Sequence, residues 1–480
     1  MIKRTFTLTL FCLLLTQLVT AQVHNCGQYH ATNKLNTQIP GYENLVNQTF
    51  ENAKQVAQQQ ATSRSREVLT VPVVVHVVYN TDVQNVSDEL IHSQIQVLNE
   101  DFQRLNPDAG DARPMFQSIA GNAEIQFVLA DTDPAGNPTT GITRTQTDVV
   151  SFTDVSFDDF LVALDSCGAL DPNSPEATEC LINALFSEEE GGGAGGIQLD
   201  DVKNSAKGGQ DPWDTKRYIN IWVTNLNINL GFQEIPAIMG FAYPPTEAPH
   251  WPTEELPQDL TDIDGIVMHH QAFGVNNPNA GPVKDLFKKG RTCTHEMGHY
   301  FGLRHISGDG DCASDDGIAD TPSEVASQQL DPENIPTCEE LHDLDTCPED
   351  DMPDMYENFM SYNPEACQNL FTQEQVGIMR AMLEGPRAGL IMQQTTSTVS
   401  EELAQAVTLY PNPTNGALNI QVDGYELADF TIEVQNLMGQ KVLSLPAQSS
   451  IDISNLTAGI YLVGLKNQTI QAVEKITIVK

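Results

Sequence analysis

The segment THEMGHYFGLRH combines residue types that can bind a metal ion and move a proton. Positions four apart lie on one face of a helix, so His295 and His299 can direct their imidazole nitrogens at the same ion. Gly302 permits the turn that returns His305 as a third ligand. Three neutral histidines leave a fourth position open for water, as in catalytic zinc sites, and Glu296 is close enough to accept a proton from that water. The spacing therefore predicts a catalytic metal centre.

A coincidental group of core or surface histidines is the alternative interpretation. The chain has 11 histidines in 480 residues, and composition gives the five-residue pattern a chance probability on the order of 10⁻⁵. His76, His269 and His270 lie in or directly after apolar runs, and we expect them to be buried core or rim residues rather than further ligands.

The elements that must position this segment predict an α/β unit. Val71–Tyr79 is a β-branched run typical of a buried strand, and Ile125–Leu129 and Tyr218–Val223 predict further strands. Ser87 is the predicted N-cap of a helix whose apolar residues recur at helical spacing.

Changes in composition divide the rest of the chain. Residues 22–66 are polar and end in Ser63–Arg66, which predicts a prosegment with an exposed basic cleavage site; a disordered leader is the alternative. Residues 67–387 form the predicted catalytic domain. An acidic and glycine-rich stretch at about 150–213 predicts an insertion in that domain, and a polar linker follows over 388–405.

Charge and the first residues predict an exported protein. The formal net charge of −41 disfavours nucleic acids and anionic membranes as partners. Lys3 and Arg4, an apolar run at Phe6–Val19 and small residues before Gln22 predict a signal peptide over residues 1–21. A membrane anchor is the weaker alternative, because the run is shorter than the ~20 residues that span a bilayer. No later segment predicts a transmembrane span.

Of the nine cysteines, one lies in the predicted signal peptide and eight remain. An even number in an oxidising compartment indicates disulfides. Cys167 and Cys180 close a short loop, so we expect them to pair. Cys293 lies two residues before His295, which turns it about 200° away from the metal on a helix. We therefore expect Cys293 to be a buried free thiol.

The histidine motif carries the signature of the metzincin clan of zinc endopeptidases. That signature also requires a methionine-containing turn, which Asn358–Tyr362 supplies. The chain resembles the pappalysin family in particular, through Val71–Tyr79, Gly208-Gly209 and Asp320–Pro322. The resemblance implies a metzincin-type α/β domain with a twisted sheet, zinc bound by the three motif histidines, and Glu296 as the general base.

The same resemblance implies roles for residues near the methionine turn. Met360 would pack beneath the zinc ligands, and Tyr362 would stabilise the tetrahedral intermediate. Glu365 matches an acidic residue in the pocket for the side chain after the scissile bond, which implies a preference for Lys or Arg there. A solvated loop carboxylate is the alternative for Glu365.

Calcium and two further disulfides are also implied by the resemblance. Asp316 and Thr321 match positions near a calcium site, whereas the run Asp309–Asp311 does not fit an EF-hand loop. The implied disulfides are Cys312–Cys347 and Cys338–Cys367.

Cys26-Gly27 resembles a dipeptide in the prosegments of this family. The resemblance implies a latent form in which the Cys26 thiolate occupies the open position of the zinc. A disulfide with Cys293 is the alternative. Cleavage near Arg64 or Arg66 would free the site, and an enzyme that prefers basic residues can make this cut itself.

Residues 406–480 alternate short strands with turns, which predicts a small β-sandwich. Tyr410–Pro413 and Gly459–Tyr461 resemble the C-terminal sorting domain of the type IX secretion system, which implies transport by that secretion machinery. A carbohydrate- or surface-binding module is the alternative, and the lack of Trp in this region disfavours it.

These observations predict a secreted, monomeric zinc endopeptidase that is made as a latent zymogen and acts on proteins or peptides. The competing hypothesis is a non-catalytic surface adhesin or metal-binding scaffold of the same shape. Peptide hydrolysis separates the two hypotheses, because zinc content alone does not.

Overall fold

The structure is a computed structural model that divides into two compact units, Met1–Met392 and Gln393–Lys480. The residues that it describes are 23–24, 26–60, 67–153, 162–163, 167, 180, 184, 198–229, 234–236, 238–245, 260–326, 329–330, 334–350, 352–392, 398–436, 441–467 and 470–479. The predicted signal peptide, the predicted cleavage site at Ser63–Arg66 and most of the predicted insertion lie outside the described residues.

Strands and helices alternate along the first unit. Its described strands are β1 (Val23–His24), β2 (Leu69–Tyr79), β3 (Ile125–Leu129), β4 (Ile142–Gln146), β5 (Ile219–Thr224), β6 (Asn227–Asn229), β7 (Glu234–Pro236), β8 (Gly240–Ala242), β9 (Ile266–His269) and β10 (Gln329–Leu330). Its described α-helices are α1 (Gln28–Gln38), α2 (Tyr42–Gln60), α3 (Asp88–Phe102), α4 (Pro114–Gln117), α5 (Leu260–Ile263), α6 (Arg291–Tyr300) and α7 (Gln373–Glu384). The 3-10 helices cover Leu199–Lys203, Ser205–Lys207, His270–Ala272, Gly281–Val283 and Ala388–Leu390.

A six-stranded sheet forms the centre of the first unit, in the order β3-β2-β5-β9-β8, with β4 also pairing with β2. All neighbours are parallel except β8, which runs antiparallel to β9 at the edge. Strand β2 begins two residues before the predicted strand, and its residues from Val71 to Val78 are all buried. A strand with no exposed face favours apolar residues at successive positions, which explains its almost unbroken β-branched run.

Helix α6 lies against β8, β9 and α3. Helix α3 begins as predicted after Ser87, whose side chain accepts a hydrogen bond from the Leu90 main-chain N–H. All 10 residues of α6 are buried. Gly302 has a φ of 88°, a conformation that lets the chain reverse directly after the helix. The two histidines of α6 are thus held inside the unit, and the third returns beside them.

Helices α1 and α2 belong to the predicted prosegment and pack on the rest of the first unit. Phe50 and Ala53 of α2 join the same apolar core as the strands of the sheet, and α2 packs along α7. The guanidinium of Arg304 lies 4.0 Å from the ring centroid of Phe50. The segment does not need a core of its own, because the unit supplies one. The alternative of a disordered leader therefore does not apply to residues 28–60.

The C-terminal part of the predicted insertion packs into the first unit. Leu199 and Val202 are buried in one apolar cluster with Trp222 and Phe241. The main-chain oxygen of Gln210 accepts a hydrogen bond from the indole of Trp222. Residues 198–213 are therefore packed into the first unit.

The second unit has two sheets, as expected for a β-sandwich. Its described strands are β11 (Thr398–Val399), β12 (Val407–Tyr410), β13 (Ala417–Val422), β14 (Thr431–Asn436), β15 (Lys441–Pro446), β16 (Ser450–Asp452), β17 (Gly459–Lys466) and β18 (Ile470–Ile478). Helix α8 covers Glu401–Ala406, and a 3-10 helix covers Leu427–Asp429. The sheet orders are β11-β18-β17-β14-β15 and β12-β13-β16.

The predicted linker over 388–405 is shorter in the structure. Leu390 is buried in the core of the first unit, whereas Leu403 is buried in the core of the second. The main-chain N–H of Met392 also donates to the Thr70 oxygen. Each end of the polar stretch thus has a buried leucine, Leu390 or Leu403. The average composition of the stretch does not reveal these two buried residues.

Candidate metal centre and catalytic site

Helix α6 and the turn after it bring three histidines together. The Nε2 atom of His299 lies 3.1 Å from that of His295 and 2.9 Å from that of His305, and the other two Nε2 atoms are 3.2 Å apart. All three side chains are buried. Burial, and then the neighbouring His305, lower the pKa of His295 to about 3 and that of His299 well below its ordinary value. Both rings of the helix are therefore neutral, as metal ligands must be.

Hydrogen bonds on the far side of each ring decide where the ring proton lies. His295 Nδ1 is 2.7 Å from the Phe359 main-chain oxygen, and His299 Nδ1 is 2.8 Å from the Leu303 oxygen. A carbonyl oxygen only accepts, so each Nδ1 carries the proton and each Nε2 an unshared pair. The ring of His305 donates to a carboxylate in the same way. Three unshared pairs within 3.2 Å repel one another unless a cation lies between them, so this donor set fits zinc.

Cys26 lies beside the three histidines. Its Sγ and one nitrogen of each of the three rings all lie within 4.8 Å of one another. The Gly27 N–H donates to the Gly240 oxygen of edge strand β8 at 2.8 Å, and the Gln28 N–H donates to Cys26 Sγ at 3.3 Å. Cys293 is also free and is buried in the apolar core. No disulfide joins Cys26 to Cys293, so the alternative pairing does not apply.

Glu296 is fully buried beside Cys26. The thiol donates to Glu296 Oε2 at 3.6 Å, and Oε1 is buried with no hydrogen-bond partner among the described residues. Burial raises the pKa of Glu296 to about 8; burial, and then the charge of Glu296, raise the pKa of the Cys26 thiol. A Cβ at Gly240 would lie 2.8 Å from Glu296 Cγ, so glycine is needed for the edge strand to approach the carboxylate. This carboxylate is placed to accept a proton.

The methionine turn lies directly against helix α6. A Cβ added to Gly298 would overlap the sulfur of Met360, so Met360 packs against the helix between its two histidines. The Tyr362 hydroxyl is 3.1 Å from His305 Nδ1, and the two rings are 4.3 Å apart at their centroids. Burial raises the pKa of Tyr362 well above its ordinary value, so the phenol is protonated and can donate.

Asp309 contacts the third histidine, a role that the sequence analysis did not assign. Its Oδ1 is 2.6 Å from His305 Nδ1. Burial opposes ionisation, but the electrostatic attraction and the hydrogen bond of the His305 ring hold the pKa of Asp309 below its ordinary value. The available signal was a carboxylate four residues after a predicted ligand, which can place both side chains on one side of a turn.

Glu365 is buried, so the alternative of a solvated loop carboxylate does not hold. Its Oε1 accepts hydrogen bonds from the Thr292 N–H at 2.7 Å and the Thr292 hydroxyl at 2.9 Å. Its Oε2 accepts from the Lys289 N–H at 2.7 Å. Burial raises the pKa of Glu365, although these hydrogen bonds lower it. The carboxylate therefore caps the N-terminus of α6, a contact that the sequence did not predict.

Arg291 joins two aspartates at the same end of α6. Its Nη2 is 2.5 Å from Asp108 Oδ1 and 3.5 Å from Asp101 Oδ1. Thr294 Oγ1 donates to Asp101 Oδ2 at 2.8 Å. Burial raises the pKa of Asp101 to about 7 despite the nearby guanidinium, whereas Arg291 outweighs burial and lowers the pKa of Asp108. These charges fix the helix rather than take part in chemistry at the metal.

Asp316 and Thr321, the predicted calcium residues, contact each other. The Thr321 hydroxyl donates to Asp316 Oδ1 at 2.9 Å, and Asp316 Oδ2 is buried without a hydrogen-bond partner in the described residues. Glu324 Oε2 is also buried without such a partner. Burial raises the pKa of Asp316 to about 7 and that of Glu324 to about 8. Oxygen atoms of this kind fit a hard cation.

The structure joins six cysteines in the pairs Cys167–Cys180, Cys312–Cys347 and Cys338–Cys367. The histidines predicted to lie in the core, His76, His269 and His270, are buried and do not belong to the histidine cluster. His76 contacts Thr143 and Asn220, and His269 contacts Asn227. His270 is buried as well.

Comparison with known proteins relates both units to established families. Residues 281–384 match the family described as Pregnancy-associated plasma protein-A, and residues 408–479 match the secretion system C-terminal sorting domain. The chain is 33% identical to a promirolysin mutant of Tannerella forsythia, a solved structure. That match covers 77% of this chain and 97% of the other, with a TM-score of 0.55.

Extracellular metalloproteases are also similar over shorter stretches. One from Arthroderma benhamiae is 30% identical over 143 residues, which are 29% of this chain and 43% of that protein. One from Aspergillus oryzae is 39% identical over 107 residues, which are 22% of this chain and 30% of that protein. These matches thus span less than half the length of either relative.

The fold class and the secretion predicted from the sequence are confirmed by these matches. Among the described helices, none is both long enough and apolar enough to cross a membrane. The candidate metal centre combines three histidines, a thiol and a buried carboxylate. The same chain matches a secretion sorting domain over residues 408–479.

Proposed function

This chain belongs to the pappalysin family of metallopeptidases, and we propose that it is a zinc-dependent endopeptidase made as a latent precursor. One observation carries the proposal: three histidine Nε2 atoms meet within 3.2 Å, next to the buried carboxylate of Glu296. A structural zinc site needs only its ligands, whereas a catalytic site also needs a carboxylate that is not a ligand and can accept a proton from water.

Three histidines, His295, His299 and His305, would hold the zinc. When bound, zinc supplies a Lewis acid that polarises the scissile carbonyl and lowers the pKa of water. Glu296 accepts the proton of the attacking water and returns it to the leaving amine. The Tyr362 hydroxyl moves from His305 Nδ1 to donate a hydrogen bond to the oxyanion.

Edge strand β8 would bind the substrate backbone. In the latent form, the Gly240 oxygen accepts a hydrogen bond from the prosegment's Gly27. Cys26, the residue before it, points its sulfur at the histidines and occupies the place that water needs. The prosegment thus takes both the metal position and a main-chain acceptor, and its removal restores both. Cleavage near Arg64 or Arg66 is the proposed activation step.

Substrates with Lys or Arg after the scissile bond would be preferred. The support is the buried negative charge of Glu365: no cation contacts its carboxylate oxygens in the described part of the chain. Arg291 binds the main-chain oxygen of this residue instead. Three donors already reach the carboxylate, so it would act on a substrate cation through its field more than through a full bidentate contact.

Calcium would bind at Asp316 and Thr321. The support is the buried, unpartnered Asp316 Oδ2, with a second such oxygen on Glu324. Calcium at about 100 times its dissociation constant would add about 2.7 kcal/mol to the unfolding free energy. Thermal denaturation with and without calcium checks this, and Asp316→Asn should remove the effect, whereas Asp343→Asn, at an exposed site, should keep it.

The second unit would direct the chain through the secretion machinery and then be removed. Its match to a sorting domain supports this role. The mature enzyme would act as a monomer on protein or peptide substrates.

Digestion of a mixed peptide library tests the proposal. Full-length Cys26→Ala and Cys26→Ala/Glu296→Ala proteins are loaded with zinc, and zinc per chain is measured by atomic emission. Both should bind one zinc, while the second should cleave ~10²- to 10⁴-fold more slowly because it lacks the general base. Cys26→Ala/Glu349→Ala, altered at an exposed position, is the matched control and should cleave as fast as Cys26→Ala alone.

Comparable turnover in the protein without Glu296 would overturn the assignment. Absence of cleavage by both zinc-loaded proteins would favour the non-catalytic scaffold. Cuts that do not precede Lys or Arg would keep the endopeptidase and remove the specificity proposed for Glu365.

A further inference from the structure

The three metal-binding rings are not oriented in the same way. Main-chain oxygens of Phe359 and Leu303 hold the two rings of helix α6. The ring of His305 is held by a side chain, the carboxylate of Asp309, at 2.6 Å. This carboxylate is 21% exposed, whereas the ring that it contacts is fully buried. One ligand of three therefore depends on a charged group outside the ligand set.

The backbone at Asp309 is held in an unfavourable conformation. Its φ of 59° lies in the left-handed region, which residues other than glycine rarely adopt. Gly308 before it has a φ of 58°, and the Gly308 N–H donates to the His305 oxygen at 2.9 Å. Two successive left-handed residues turn the chain back, so that the carboxylate meets the ring from which the chain has just departed. Such strain persists where the surrounding structure requires it.

We propose that Asp309 is a positioning residue that sets the tautomer, orientation and basicity of His305 and thereby strengthens zinc binding. A carboxylate that accepts the Nδ1 proton leaves the unshared pair on Nε2 and increases its electron density. A carbonyl oxygen fixes a tautomer as well, but it lacks the full negative charge. This inference rests on the proposed zinc centre, and it assigns a function to a residue outside the predicted ligands.

Tyr362 shares the same ring nitrogen. Its hydroxyl is 3.1 Å from His305 Nδ1, farther than the Asp309 oxygen. A single Nδ1 proton cannot be donated fully to both groups. Loss of the carboxylate would leave Tyr362 as the remaining acceptor and hold its hydroxyl away from the substrate. The two residues should therefore be coupled in their effects on zinc affinity.

Zinc affinity of the full-length chain, measured by competition with a fluorescent chelator, tests this role. Asp309→Gly removes the carboxylate yet tolerates the positive φ, and Asp309→Asn keeps a neutral acceptor oxygen in the same conformation. We expect Asp309→Gly to bind zinc about 10- to 100-fold more weakly. Asp309→Asn should lie between that variant and the wild type. Asp311→Asn, two residues along the same loop, is the control and should match the wild type.

Unfolding with and without zinc separates positioning from stability. Zinc should raise the unfolding midpoint less in Asp309→Gly than in the wild type, because weaker binding stabilises the fold less, whatever the midpoints of the two zinc-free proteins. Adding Tyr362→Phe should weaken zinc binding more in the Asp309→Gly background than in the wild type. Equal zinc affinities of wild type and Asp309→Gly would overturn the inference and leave the zinc centre intact. A wild type that binds no zinc would instead overturn the proposed function.

Discussion

The two ends of helix α6 are built in opposite ways. Its middle and C-terminal turns present His295 and His299, whose Nε2 atoms are left without proton donors. Its N-terminus has polar groups that are paired within the chain: Glu365 accepts from Thr292, and Arg291 contacts two aspartates. One end holds unsatisfied acceptors for a cation, and the other end is closed by internal charges. Binding and stability are thus assigned to different ends of one helix.

Removal of Arg291 should show the largest effect on stability. Arg291→Met leaves the buried Asp101 without a charged partner and Asp108 with Lys289 as its remaining cation, so we expect the free energy of unfolding to fall by about 3–5 kcal/mol. Chemical denaturation of the zinc-free protein measures this change. Zinc affinity of the remaining folded protein should stay as in the wild type, because the metal-binding end is not altered.

Lys289→Met is the matched control for this experiment. Lys289 also contacts Asp108, at 2.5 Å, but its side chain is 34% exposed. Its loss should cost less than about 1 kcal/mol. Equal losses of unfolding free energy for Arg291→Met and Lys289→Met would show that burial does not distinguish these ion pairs. That result would contradict the role of buried charges proposed for the N-terminus of α6.

Two cysteines are unpaired in the described part of the chain, Cys26 and Cys293, and they allow a second comparison beside helix α6. Cys26→Ala should make the unprocessed chain cleave peptides, because the position beside the histidines becomes open. If the thiol contributes about 2.7 kcal/mol to latency, activity should rise about 100-fold. Cys293→Ala should leave latency unchanged, because that thiol is buried in the apolar core. Cleavage rates of the two unprocessed variants measure this difference.

Activity in Cys293→Ala without prior cleavage, or continued latency in Cys26→Ala, would contradict the switch. Mass spectrometry before and after the assay confirms that the prosegment is still attached. This control matters because an active protease can remove its own prosegment during the measurement.

Local spacing made the metal ligands predictable, whereas main-chain and distant contacts were not. His295, His299 and Glu296 follow from helix periodicity within a few residues. The Phe359 oxygen orients a ligand through a main-chain atom, so its residue type carries no signal. Arg291 and Asp108 are 183 residues apart, and no pattern in a single sequence pairs them.

The same distinction explains the fold. Strand β2 and helix α3 were predicted because each has its own periodicity and, for α3, its own cap. The packing of α2 was not predicted, because its partner α7 lies more than 300 residues later. Cys26 was placed by family resemblance rather than by spacing, since 270 residues separate it from Glu296.

Glu365 caps the N-terminus of α6 and is also proposed to act on the substrate, and its substitution should destabilise the protein less than Arg291→Met. Glu365→Gln keeps the size of the side chain but turns an acceptor oxygen into an amide that faces N–H donors, at a cost of about 1–3 kcal/mol. The same change removes the negative charge proposed to favour basic substrates. If Glu365 only caps α6, denaturation will show the loss of stability while the ratio of cleavage before Lys or Arg to cleavage before Leu stays constant. If its charge also acts on the substrate, that ratio will fall in the folded, zinc-loaded protein, because only the charged carboxylate attracts a substrate cation.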